Sequence, residues 1–139
     1  MVPCKASPTP NFRQGSDVTL IACGTMLHLA AAAADLLATQ GIAAHVLNMA
    51  TLNPLDETAV LAAAEETSAM VTIEEASIRG GLGGDVAEQT AANRPVPVEL
   101  MGFPGIVPTG SVDWLFNEYG LTPEGIAAAA HRAPKRVRA

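Results

Sequence analysis

Two adjacent carboxylates and a cluster of glycines are the residues of this sequence best placed to do chemistry. Glu74 and Glu75 close the apolar run Met70, Val71, Ile73, and glycines stand at 80, 81, 83 and 84, where a helix-forming segment begins. Paired carboxylates can divide acid and base work, but neighbours in a strand point to opposite faces and make a poor pair. The expectation is that one of them is buried and hydrogen-bonded at the strand end. A glycine turn into a helix can also hold an anion on the free N–H groups of the first helical turn. GGLGG does not spell the G-x-G-x-x-G of dinucleotide binding and lacks the Lys-Ser/Thr of a phosphate loop. Close approach of backbone to backbone is the favoured use of these glycines.

The remaining reactive side chains are scattered. Cys23 sits between an apolar run and a helix start, where a thiolate would be stabilised, but no histidine stands beside it in sequence. A small buried apolar cysteine is the favoured reading, and a thiol enzyme the weaker one. His28, His45 and His131 share no metal-ligand spacing and no HExxH or GxSxG context, so they read as surface or interface histidines. Cys4 and Cys23 form neither a disulfide framework nor a zinc motif. No catalytic, cofactor-binding or metal-ligating residue is assigned.

These residues are held by alternating strand and helix patterns. Residues 1–16 carry Pro3, Pro8 and Pro10 and read as a tail with at most one edge strand between Cys4 and Arg13. Asp17 to Cys23 is a continuous apolar run, as in a strand covered on both faces. Gly24 and Thr25 turn into a helix that ends near Gln40, with Gly41 as its terminating glycine. Between Met26 and Ala38 only His28 and Asp35 are polar, so most of this helix should be buried. Ala43 to Met49 is a second buried strand, Asn53-Pro54 breaks the chain, and Asp56 caps a helix to about Thr67, with Leu55 and Val60 at staple spacing. The strand ending at Glu74 and Glu75 follows, then a helix from Leu82 to Asn93.

Val96 to Met101, flanked and interrupted by Pro95 and Pro97, reads as an edge strand. After a loop from Gly102 to Gly110, Ser111 caps a short helix containing Trp114, Leu115 and Phe116, closed by Gly120. Thr122 and Pro123 start the last helix, with Leu121 against Ile126. Such alternation specifies an α/β sheet with parallel strands and right-handed crossovers. The 139 residues suit one domain (17–133), with a basic tail at 134–139. A net charge of −6 argues against a nucleic-acid or anionic-membrane surface. Without a signal-peptide pattern or about 18 uninterrupted apolar residues, a cytoplasmic protein is expected.

Four stretches together resemble the C-terminal domain of transketolase-like, thiamine-diphosphate-dependent enzymes. They are GSDVTLIACGTMLHLAAAAADLL, HVLNMATLNPLDETAVLAAAEET, VTIEEASIRGGLGGDVAE and MGFPGIVPTGSVDWLFNEYGLTPEGIAAAA, covering residues 15–131. The closing PTGS…YGLTPEGI pattern is nearer to transketolase and deoxyxylulose-phosphate synthase than to the 2-oxoacid dehydrogenase beta subunits. The resemblance implies a three-layer α/β/α domain with a five-stranded, mixed but mostly parallel sheet, whose first strand (within residues 4–13) runs antiparallel. It implies a non-catalytic role in domain packing, dimer assembly and regulation. Thiamine diphosphate and magnesium would be held by other domains, on the same or a separate chain, and the Gly-Asp-Gly…Asn diphosphate motif does not occur in this sequence.

The implied strand order brings Gly24, Thr25, Glu75, Ser77, Arg79, Gly80, Gly81, Leu82 and Gly83 to the strand-end switch point, as a candidate interface or regulatory site. The competing reading is a stand-alone module for a nucleotide or sugar phosphate. It would use the same crevice at Gly24 and Gly80–Gly84, with the N–H groups of 81–84 receiving the anion.

Overall fold

Val18–Ala22 is buried at every position, and this strand lies at the centre of the sheet. The computed structural model describes residues 8–134. In chain order they form β1 (Asn11–Arg13), β2 (Val18–Ala22), α1 (Met26–Thr39), β3 (Ala44–Asn48), α2 (Glu57–Glu66), β4 (Met70–Ser77), α3 (Leu82–Asn93), β5 (Val98–Phe103), α4 (Val112–Glu118) and α5 (Pro123–Arg132). The sheet order is β1-β3-β2-β4-β5. β1 runs antiparallel to β3, and the other pairs are parallel. The edge strand expected between residues 4 and 13 is therefore Asn11–Arg13. Cys4 and most of the basic tail lie outside the described residues.

Alternation along the strands sorts the core into two layers. Leu20, Ala22, Val46, Val71 and Ile73 face α1 and α5 and pack with Met26, Ala30, Leu37 and Ile126. Ile21, Leu47 and Met70 face the other way, against Val60 of α2 and Leu82 and Val86 of α3. Each fully buried Leu, Ile or Met contributes about 1.5–3 kcal/mol. Along α1 only His28, Asp35, Ala38 and Thr39 are exposed, so the helix is buried over most of its surface, as its composition requires.

Helix starts follow the local chemistry. Asp56 accepts from the Ala59 N–H, Ser111 from Trp114 and Thr122 from Gly125, each at the third residue of its helix. Two strand boundaries differ from the sequence reading. β5 starts at Val98 and runs to Phe103, because Pro97 gives its carbonyl to Met70 but has no N–H for the ladder. β4 does not stop at its carboxylates: it continues through Ala76 to Ser77, which pairs with Phe103 beyond a register shift. Among the described residues no helix is long and apolar enough to cross a membrane.

Candidate functional site

The chain leaves β2 in one direction across the sheet and returns to β4 on its other side, so the β2 and β4 ends flank a crevice of the kind in which open α/β sheets bind ligands. The parity of β4 decides what happens there. Glu74 shares a face with Met70 and Thr72, toward α3, whereas Glu75 shares a face with Val71 and Ile73, toward α1. The two adjacent carboxylates therefore serve opposite sides of the sheet.

Glu74 is 2% exposed. Its Oε2 accepts from the Leu82 N–H and its Oε1 from the Gly83 N–H, both at 3.0 Å. A carboxylate at the start of α3 satisfies orphan N–H groups and sits in the favourable end of the helix dipole. The glycines make this contact feasible. Gly80 adopts φ 73°, open to glycine at little cost, and a Cβ on Gly81 would overlap the Glu74 carboxylate. At Gly83 a Cβ would stand 2.7 Å from Leu100 Cδ2 and 2.8 Å from Thr72 Oγ1. Close packing is the use Gly81 and Gly83 serve, whereas a Cβ on Gly80 or Gly84 would meet nothing within 4 Å. The anion on this helix start is the protein's own, so two of the N–H groups expected to receive a ligand's phosphate are already engaged.

On the other side, Glu75 Oε2 accepts from the Thr25 hydroxyl at 2.8 Å, linking the β4 end to the start of α1. Ser77 Oγ accepts from the Arg79 N–H at 3.2 Å and tightens the turn into Gly80. Gly24, Thr25, Glu75, Ser77, Arg79 and Gly80 are exposed at the strand-end edge, Gly81 is half-buried at the helix start, and Leu82 and Gly83 are buried. Among the candidate residues, hydrogen bonds join Thr25 to Glu75 and Ser77 to Arg79, while Leu82 and Gly83 are joined to Glu74.

Cys23 is half-buried. Burial raises its thiol pKa, the Glu74 charge raises it further, and a hydrogen bond with its own backbone opposes them without prevailing. This agrees with the favoured reading of an unreactive, apolar cysteine: burial first, and then the Glu74 carboxylate, outweigh the helix start that would stabilise a thiolate. His45 departs from expectation: it is 3% exposed rather than superficial. It lies on β3 with its Nε2 3.1 Å from Asn11 Oδ1. The β3 alternation that buries Leu47 and Met49 on the α2 side carries His45 with them, a period-two signal legible in the sequence. His28 and His131 are exposed.

Exposed apolar residues form the other feature of this edge. The chain leaving β5 presents Ile106 fully to solvent, with Val112 55% and Trp114 46% exposed. No residue of α4 is fully buried. The helix is held by Phe116 against the α1/α5 core and by an edge-to-face contact of Tyr119 with Phe103, centroids 5.4 Å apart.

Fold and site define a three-layer α/β/α domain whose glycine-entered helix is closed by a carboxylate of the adjoining strand. Residues 10–126 match the family described as transketolase, C-terminal domain, and the chain belongs to that family. It is 46% identical over 126 residues to the 6-deoxy-6-sulfo-D-fructose transketolase subunit SqwH of Clostridium sp. strain MSTE9, covering 90% of this chain and 39% of that protein. It is 42% identical over 129 residues to 1-deoxy-D-xylulose-5-phosphate synthase of Symbiobacterium thermophilum, covering 91% of this chain and 20% of the relative. A split-gene transketolase, described as an inactive β4 tetramer, superposes with TM-score 0.90 at 36% identity, over 96% of this chain and 44% of that one. A Pichia stipitis transketolase shares the fold at TM-score 0.70 and 20% identity, over 92% of this chain and 18% of its own. The chain thus spans less than half the length of each of these proteins.

Proposed function

We propose that this chain is the non-catalytic C-terminal domain, or a small subunit, of a transketolase-like, thiamine-diphosphate-dependent enzyme. The complete enzyme transfers two-carbon ketol units between sugar phosphates, and this part packs on the thiamine-diphosphate-binding domains, supports a dimer in the cytoplasm and offers a site for regulation. The observation that carries the reading is the division of chemistry at the strand-end edge. Its polar groups are joined to one another, through Glu74 with Leu82 and Gly83 and through Glu75 with Thr25, while Ile106, Val112 and Trp114 face outward. An edge that is internally satisfied in its polar groups and apolar at its rim suits packing against protein. Two relatives are themselves named as parts of transketolases, the second being an apulose-4-phosphate transketolase subunit of Phocaeicola vulgatus at 43% identity over 117 residues. They agree with a part that acts within an assembly.

The described residues do not fit the cofactor itself. The helix start best suited to a diphosphate carries Glu74, whose negative charge would repel it. Among the described residues no group of three or more His, Cys, Asp or Glu is placed to hold a metal. No catalytic step is assigned to this chain. The role of its residues is to fix α3 and the 78–81 turn, and so the shape of the surface offered to the partner domains.

Affinity capture tests the reading. The tagged chain, expressed in its native cell, should retain thiamine-diphosphate-binding domains in stoichiometric amount, whether joined to it or as a separate chain. Ile106→Asp together with Trp114→Ala should release a separate chain without lowering the melting temperature by more than about 5 °C, as for surface substitutions. Undiminished retention by that variant would refute the apolar rim as the docking surface.

A further inference from the structure

A second cleft, of about 260 Å³, lies between α2, β3 and the segment entering β1, lined by Thr9, Asn11, His45, Asp56, Thr58 and Glu66. His45 is its buried member. Asn11 turns Oδ1, an acceptor, toward Nε2, so Nε2 carries the ring hydrogen and Nδ1 keeps a lone pair. Nδ1 is buried and has no hydrogen-bond partner. Glu66 Oε2 stands 3.8 Å from it, too far for a hydrogen bond, and an ionised carboxylate has no proton to give. Asp56 already receives the Ala59 N–H on Oδ1 and the Thr9 N–H on Oδ2. Two acceptors thus face one gap, and neither supplies the other with a donor.

Among the described residues the charge around the cleft has one sign. α2 ends here with Glu65 and Glu66 and no basic residue in its last turn, so the negative end of the helix dipole adds to the carboxylates. Arg13 of the adjacent β1 is paired with Asp35 of α1. Burial lowers the His45 pKa, and the opposing pull of Glu66 does not restore it, so the imidazole lone pair is available at neutral pH. Once Glu66 swings outward from its 3.8 Å distance, a single nitrogen can sit beside both acceptors with hydrogen bonds of about 2.8–3.0 Å. A metal would need further ligands, and no cluster of three among the described residues supplies them. Ala59, Ala62 and Ala63 give the cleft an apolar wall on which a short alkyl chain can rest.

We propose that this cleft binds a primary ammonium group, whose N–H groups donate to His45 Nδ1 and to the Glu66 carboxylate. The side chain of Glu66 is 57% exposed and stands at the mouth, where it can move to admit the ligand. The site lies on β3, away from the strand-end crevice, and does not depend on the function proposed above.

The test uses the full chain labelled with 15N-histidine and titrated with methylammonium chloride. The His45 Nδ1 resonance should shift saturably. Sodium chloride at matched ionic strength and tetramethylammonium, which has no N–H, should leave it in place. Glu66→Gln should weaken binding at least tenfold while leaving the circular dichroism spectrum unchanged, because its amide can donate to Nδ1 and occupy the gap itself. Binding of Nα-acetyl-lysine amide tenfold tighter than methylammonium would identify a lysine side chain as the source of the ammonium, and weaker binding a free amine. The absence of saturation, showing water alone in the cleft, or an equal response to tetramethylammonium would overturn the proposal.

Discussion

Glu74→Ala removes the one carboxylate that closes the start of α3. Two N–H···O bonds of 3.0 Å are lost, and the donors left behind belong to Leu82 and Gly83, both buried. Hydrogen bonds to a charged acceptor contribute about 1.5–3 kcal/mol each. Relief of the buried charge offsets part of the sum, so the net loss should be about 3–5 kcal/mol. For a domain of this size that corresponds to a fall in melting temperature of roughly 10–15 °C. Glu74→Gln keeps one acceptor oxygen but sets an amide N–H against the second donor, and should cost about 1–3 kcal/mol. Glu75→Ala is the control: its bond to Thr25 is exposed and its loss should stay within about 0.5 kcal/mol. Urea titration followed by circular dichroism reads all three. A Glu74→Ala protein as stable as Glu75→Ala would refute the account of this helix start.

Gly83→Ala should destabilise by about 1–3 kcal/mol despite alanine's higher helix propensity, since the new methyl would press on Leu100 and Thr72; a gain in stability would contradict it. His45 makes stability depend on pH: its folded pKa lies below 6.5, so the unfolded chain takes up the proton more readily. The contribution of the neutral ring is present above pH 6.5 and is lost as pH falls through and below that value. Urea midpoints should decline over this range in the wild type and flatten in His45→Gln; equal slopes would exclude His45 as the cause. Iodoacetamide should alkylate Cys23 more slowly in the native chain than in urea at neutral pH, since burial and Glu74 hold the thiol protonated. Equal rates would contradict that environment.

The fold is legible in the sequence because its local signals agree. Asp56, Ser111 and Thr122 cap the helices they precede, the prolines before β5 mark an edge strand, and the continuous apolar run of β2 marks the sheet centre. The opposite facing of Glu74 and Glu75 follows from strand parity alone. Which of them is buried depends on the face that α3 covers, a matter of strand order that local pattern does not carry. Cys23 follows its favoured reading as an unreactive cysteine, although the reason is only partly local: burial, and then a carboxylate arriving from the neighbouring strand, outweigh the helix start. His45 reads as a surface histidine when taken alone, although the alternation through Leu47 and Met49 places it inward. The exposure of Ile106 and Trp114 has no local signal, because apolar residues in a loop can turn to either side.

The most direct measurement of the central claim is ketol transfer by the chain alone. The purified chain, supplied with thiamine diphosphate, magnesium and pairs of sugar phosphates, should form no product above the protein-free background. Addition of the domains recovered with it by affinity capture should bring activity. Turnover by the chain alone, at the rate of the assembled enzyme, would contradict a non-catalytic role and require an active site within these 139 residues.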